Sequence, residues 1–300
     1  SRPATTGVCR LPTPRLAGDC EPWLAGNEPM NFAAWDLNTV WFILIGVLFT
    51  GYAMLDGFDL GVGALHLFTE TDEDRRVMLN AIGPVWDGNE VWLLTAGGAL
   101  FAAFPPVYAT VFSGFYLALI LLLVALIFRA VSLEFRGKVD SPRWRAVWDR
   151  AFAVGSLVPA ILFGVAVGNI LRGLPINADG MFTGSFLGLL NPFSILAGIF
   201  SLMMFTLHGA LYMAIKSDGA QQARMARVGT IMWMALIGLF LLVTIFTYFE
   251  AAYLLERALS NPLTWLFLVM LAAAFVYMPI AMKAGRYFRA FLASSLVILS

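Results

Sequence analysis

Charge is scarce in this sequence: Asp, Glu, Lys and Arg make up only 13% of its 300 residues, against about 25% in an ordinary soluble domain. Hydrophobic residues account for 60%, and apolar runs near or above the ~20 residues that cross a bilayer recur along the chain. Together these exclude a soluble enzyme, a nucleic-acid binder and a disordered protein. Basic and acidic residues balance at 19 each, so no basic excess points to nucleic acid or to a polybasic membrane anchor. Cysteine is nearly absent. Cys9 and Cys20 both lie in the first 29 residues, so the apolar part holds no disulfide, no cysteine-ligated zinc or iron–sulfur cluster and no covalently attached haem. With two histidines in all, His66 and His208, the chain cannot by itself hold several histidine-ligated haems. Lysine and arginine are missing altogether between Arg15 and Arg75.

What remains is an all-α, polytopic helical membrane protein. Residues 1–29 carry five of the 14 prolines and both cysteines, without a signal-peptide apolar region. They read as a non-native or unstructured leader, followed by a transmembrane domain over 30–300. That domain is expected to be incomplete at its C-terminus, because the apolar run from Phe288 to Ser300 is too short to span. Apolar runs between charged or Pro/Gly breaks give seven full spans, at about 38–68, 77–103, 107–129, 151–171, 191–215, 228–252 and 262–282, and a partial eighth at 288–300. Fourteen Lys and Arg, among them Arg129, fall in loops on one side and only Arg172 and Arg257 on the other. The positive-inside rule then puts the N-terminus outside and the basic loops in the cytoplasm.

Four carboxylates sit where such spans should be apolar. Asp56 and Asp59 close span 1 in the run LDGFDLGVG, and Asp87 and Glu90 open span 2 in WDGNEVW. A charged side chain at bilayer depth costs at least ~2.5–3.5 kcal/mol on insertion scales. At ~1.5 Å per residue, Asp59 and Asp87 each lie roughly 14–16 Å from the cytoplasmic edge. A short connection makes the two spans antiparallel neighbours, so Asp59 and Asp87 are expected to approach one another. Asp56/Asp59 and Asp87/Glu90 are i,i+3 pairs, each on one helix face. Such a group of acids suits proton uptake and relay, or else caps broken helices and holds them together. Gly57, Gly61, Gly63, Gly88, Gly97 and Gly98 are expected to admit close helix packing.

His66 and His208 could each ligate haem iron, or be packed, hydrogen-bonded helix residues. Trp86 and Trp92 head an aromatic-rich stretch that serves either as helix packing or as a platform for a quinone or haem edge. No metal site is read from the sequence.

The blocks LDGFDLGVG and WDGNEVW, the latter followed by TAGGALFAAFP, resemble subunit II of the cytochrome bd-type quinol oxidases, as do FSGFY, GVAVGN and LNPF in the same order. The short connection over about 253–261 is similar to that of the shorter, cyanide-insensitive-like branch. The resemblance implies a non-haem or haem-poor subunit of a quinol:oxygen oxidoreductase in the bacterial inner membrane. It implies a larger haem-bearing subunit I that holds haem b and haem d (or b only), oxidises ubiquinol and reduces O2 to water with protons from the cytoplasm; a small accessory subunit is possible in such complexes. Asp87 matches the position tied to proton entry at the subunit interface, and Asp59 the second aspartate of the first-helix signature. The alternative, open on composition alone, is a proton-coupled transporter using Asp59 and Asp87.

Overall fold

The computed structural model describes residues 36–300; the leader expected over 1–29 lies outside them. Among the described residues the chain forms twelve helices: α1 (Leu37–His66), α2 (Asp72–Ile82), α3 (Trp86–Ala103), α4 (Pro105–Gly114), α5 (Tyr116–Phe135), α6 (Pro142–Arg172), α7 (Phe186–Leu189), α8 (Pro192–Lys216), α9 (Gly219–Glu250), α10 (Ala252–Ser260), α11 (Pro262–Lys283) and α12 (Tyr287–Leu299). Six of them, α1, α5, α6, α8, α9 and α11, are long and apolar enough to cross a membrane. This is a polytopic helical membrane protein.

The helix starts follow local chemistry. Asp36 accepts from the Thr39 amide (2.7 Å) and Asn191 from the Ser194 amide (3.0 Å), each satisfying an orphan donor of a first turn. Proline occupies the first turn of α4, α6, α8 and α11, where its missing N–H has no partner to lose.

Two expected spans differ from the reading of the sequence. The run 77–103 is interrupted at Gly83-Pro84-Val85, which separates α2 from α3, since proline withholds an N–H from the helical ladder. The run 107–129 breaks at Phe115, and the helix that follows continues to Phe135 rather than ending at residue 129. Arg129, taken with the loop charges above, is therefore inside a helix.

Lipid offers no hydrophobic drive for helices to associate, so close approach of small residues must supply the packing. The backbones of α1 and α8 touch at Gly61 and Gly209. A Cβ on Gly61 would stand 1.8 Å from the Phe205 carbonyl oxygen, and one on Gly209 would stand 2.5 Å from the Val62 nitrogen. Helices α6 and α8 meet in the same way at Gly164 and Gly198. Three apolar clusters pack the described helices, one built on Leu60, Ala160 and Phe205, one on Phe58, Val62, Met78, Phe152 and Met213, and one on Leu211, Leu236, Met278 and Ala293. Gly57, Gly61 and Gly63 pack as expected. Gly88, Gly97 and Gly98 have nothing within 4 Å of a would-be Cβ among the described residues, so α3 leaves open space beside them.

Candidate functional site

Arg129 lies on the buried stripe of α5, where Leu122, Ala125, Arg129 and Ser132 recur at helical spacing. Its side chain is 1% exposed. Its guanidinium grips Asp56 with two bonds, Nη2 to Oδ1 at 2.6 Å and Nη1 to Oδ2 at 3.0 Å. Nη1 also donates to Glu90 Oε1, and Nη2 stands 3.8 Å from Asp59 Oδ2. Three carboxylates from two helices thus converge on one cation. Tyr52, one turn before Asp56, donates its hydroxyl to Asp56 Oδ2 at 2.8 Å. Asn89 donates to Asp59 Oδ2 at 2.8 Å and to the Leu55 carbonyl at 3.2 Å, tying α3 to α1. Asp59 Oδ1 and Arg129 Nε are buried without a partner among the described residues.

Charge counting defines the chemistry. One guanidinium against three carboxylates leaves two uncompensated negative charges in an apolar interior when all are ionised, and protons are the simplest means of neutralising them.

Asp56, Asp59 and Glu90, singled out from the sequence, are brought together here; Asp87 is not. It lies exposed in the first turn of α3, and the residue of that helix which reaches Asp59 is Asn89, two positions further on. The expected approach of Asp59 and Asp87 is therefore replaced by an Asp59–Asn89 hydrogen bond. Arg129, Asn89 and Tyr52 were overlooked. The signal for Arg129 was its place, three and seven residues before Ser132 and Arg136, on one face of an apolar run.

Of the remaining candidates, Trp92 and His208 have packing roles. The Trp92 ring covers Gly51, where a Cβ would lie 2.4 Å from Cζ3, and so seats α3 on α1. Trp86 is half-buried at the start of α3. His208 is fully buried, with Nδ1 2.6 Å from Ser294 Oγ, Nε2 3.0 Å from the Met54 carbonyl and its ring stacked on Phe291 at 4.3 Å. His66 is also fully buried, and its Nε2 is held by Asp149 Oδ1 at 2.6 Å. Neither imidazole presents a nitrogen to an open face, so these residues do not fit a haem iron.

A second charged cluster surrounds that His66–Asp149 pair at the end of the bundle where α1 terminates. Arg136 donates to Asp149 Oδ1 and to Asp72 Oδ1, both at 2.6 Å, and Arg75 donates to Asp149 Oδ2 at 3.2 Å. The hydrogen bond from Arg136 holds the Asp72 carboxyl below the usual carboxylate range.

Residues 37–300 match the family described as cytochrome bd terminal oxidase subunit II. The chain belongs to that family. It is 45% identical over 238 residues to cytochrome bd-I ubiquinol oxidase subunit 2 of Escherichia coli K12, which covers 76% of this chain and 63% of the relative. It is 39% identical over 244 residues to cytochrome bd ubiquinol oxidase subunit 2 of Bacillus subtilis, covering 80% and 72%. The chain spans just under two thirds of the length of the Escherichia coli relative. The fold matches a chain in the structure of bd oxidase from Geobacillus thermodenitrificans, with a TM-score of 0.72 and 15% identity over 87% of this chain and 80% of that one. For a subunit II, the carboxylate–arginine cluster lies within the matched region and joins both of the sequence blocks that carried the resemblance.

Proposed function

We propose that this chain is the non-haem subunit of a bd-type quinol:oxygen oxidoreductase in a bacterial inner membrane, and that its buried acids carry cytoplasmic protons toward a larger haem-bearing subunit I. The observation that carries this reading is the trio Asp56, Asp59 and Glu90 on the single cation Arg129. Family membership supplies the context, since the Escherichia coli and Bacillus subtilis relatives are named as ubiquinol oxidase subunits.

The basic end of the bundle, with Arg75, Arg136 and Arg145, is the cytoplasmic end by the positive-inside rule, which sets the N-terminus outside. Counting α2 with α3 and α4 with α5 as one crossing each gives seven crossings and a partial eighth, α12. The side of α3 that carries the exposed Asp87 and Gly98, open among the described residues, is where subunit I docks. Small residues there would let a partner helix approach closely, and Asp87 would become buried at the junction. Quinol oxidation and O2 reduction, with haem b and haem d or b alone, take place in that partner, because the two histidines of this chain are fully buried within its own bundle. Ubiquinol, O2 and any small accessory subunit are met by the complex as a whole. A proton-coupled transporter has no observation in its favour beyond the acids themselves.

Asp87→Asn, introduced into the full-length protein and purified with its partner, tests the route at its docking end. Quinol-driven oxygen consumption is expected to fall while haem content and complex yield stay at the unmutated level. Unchanged turnover would remove Asp87 from the proton route. A haem-free protein, stable without any partner, would overturn the oxidase reading.

A further inference from the structure

Two helices carry the same seven-residue arrangement between the two buried charge clusters, and a third runs beside them. On α1, Asp59 and His66 are seven residues apart, on one face two turns along, with Gly63 between them. On α5, Arg129 and Arg136 are seven apart with Ser132 between. On α6, Asp149 belongs to the outer cluster and Ser156 follows seven residues later. Seven residues span about 10.5 Å of helix axis. The inner cluster and the His66–Asp149 cluster are therefore two ends of one seam, and Ser132 (1% exposed) and Ser156 (0%) are its buried polar side chains part-way along. Ser156 fits into the space that Gly63 leaves: a Cβ on Gly63 would stand 2.0 Å from Ser156 Oγ. Both serines donate to their own helix, Ser132 to the Phe128 carbonyl and Ser156 to that of Phe152. Their oxygens keep lone pairs free to accept.

Two of the buried unpartnered atoms fall at the two ends of this seam. Asp59 Oδ1 at one and His66 Nδ1 at the other are both buried with no partner among the described residues. Buried polar atoms in native proteins are nearly always satisfied by protein or ordered water. His66 in addition has the form of a shuttle, with one nitrogen engaged by a carboxylate of the charged outer cluster and the other buried and unbonded.

We infer that His66 is a proton-transfer residue at a second, cytoplasmic entrance to the Asp59 cluster, separate from the Asp87 flank and running along the Gly63–Ser156 seam. A proton from cytoplasmic water reaches His66, whose Nε2 stays bonded to the Asp149 carboxylate, and one leaves Nδ1 through serine hydroxyls and water to Asp59 Oδ1. One proton enters for each that leaves, and no electron moves. The groups facing this imidazole are Asp149 of α6 and, through Asp149, Arg136 of the α5 end, Arg75 of α2 and Asp72 at the α2 start. Two arginines among them keep Asp149 supplied with positive partners while His66 cycles. This inference rests on the proton-delivery reading above.

The test uses the full-length complex with its partner, comparing His66→Gln, Ser156→Ala and Asp59→Asn for quinol-driven oxygen consumption across pH, with haem spectrum and yield recorded for each. His66→Gln keeps a hydrogen-bonding group beside Asp149 but cannot shuttle a proton. It is expected to lower turnover severalfold with intact haem, and to change the pH profile as well as the maximum. A packing role alone would alter yield and leave the profile in place. If His66→Gln does not assemble, Ser156→Ala decides: slowed turnover supports the seam and unmutated turnover overturns it. Slow Asp59→Asn beside unchanged His66→Gln and Ser156→Ala refutes this entrance alone. Unchanged rates in all three refute the proton-delivery reading with it.

Discussion

Arg129→Met is expected to abolish accumulation of the intact complex. Asp56 and Glu90 lose their shared cation, and Asp59 its nearest one. Breaking a buried ion pair by removing one partner costs about 3–5 kcal/mol, and here more than one anion is stranded. Arg129→Lys should rescue only in part. A compact ammonium cannot hold both oxygens of Asp56 and also reach Glu90, as the planar guanidinium does. Adding Asp56→Asn and Glu90→Gln to Arg129→Met should restore yield, because the uncompensated charges go with their partner. Complex yield in membranes and its thermal midpoint in detergent measure all three. Full yield of Arg129→Met alone would mean that the acids are neutralised without Arg129.

Gly61→Ala is the second large effect, and it concerns packing instead of charge. The added Cβ would sit 1.8 Å from the carbonyl oxygen of Phe205, a backbone atom that cannot rotate away. Helices α1 and α8 must then separate at their closest point, directly beside Asp59. Overpacking a core typically costs about 1–3 kcal/mol, and displacing a backbone crossing belongs at the top of that range. Gly46→Ala is the matched control. It lies on the same helix with nothing within 4 Å of a would-be Cβ, where alanine is favoured over glycine in a helix interior by roughly 0.5–1 kcal/mol. Thermal midpoints of the two variants should therefore move in opposite directions. Equal midpoints would contradict the backbone contact.

The helical architecture was legible because a chain this apolar leaves the backbone little choice but to satisfy itself within helices. The helix start at Asn191-Pro192 and the break near Pro105 follow from proline and capping chemistry, whereas the break at Pro84 is read through as one span from the apolar run alone. Asp56, Asp59 and Glu90 were legible for a related reason: acids in an apolar run need compensation. What compensates them was not. Arg129 comes from a helix more than seventy residues after Asp56, and a basic residue near the end of an apolar run reads as a loop charge until the helix is seen to continue to Phe135. The Asp59–Asn89 contact was hidden by register, since a shift of two residues along α3 separates Asp87 from Asn89 and turns one to the flank and the other inward. His66 and His208 illustrate the same limit, because whether an imidazole is free or engaged depends on Asp149 and Ser294, both more than eighty residues away.

The most direct test of the central claim, that the buried acids deliver protons, is quinol-driven oxygen consumption by the full-length Asp59→Asn complex. Asparagine retains an acceptor for the Asn89 amide, which holds the α1–α3 contact in place, while removing the protonatable group. The account predicts turnover reduced by about 10²-fold, the lower range for loss of a positioned proton-transfer group, with the haem spectrum and complex yield unchanged. Unmutated turnover in a fully haem-loaded Asp59→Asn complex would contradict it.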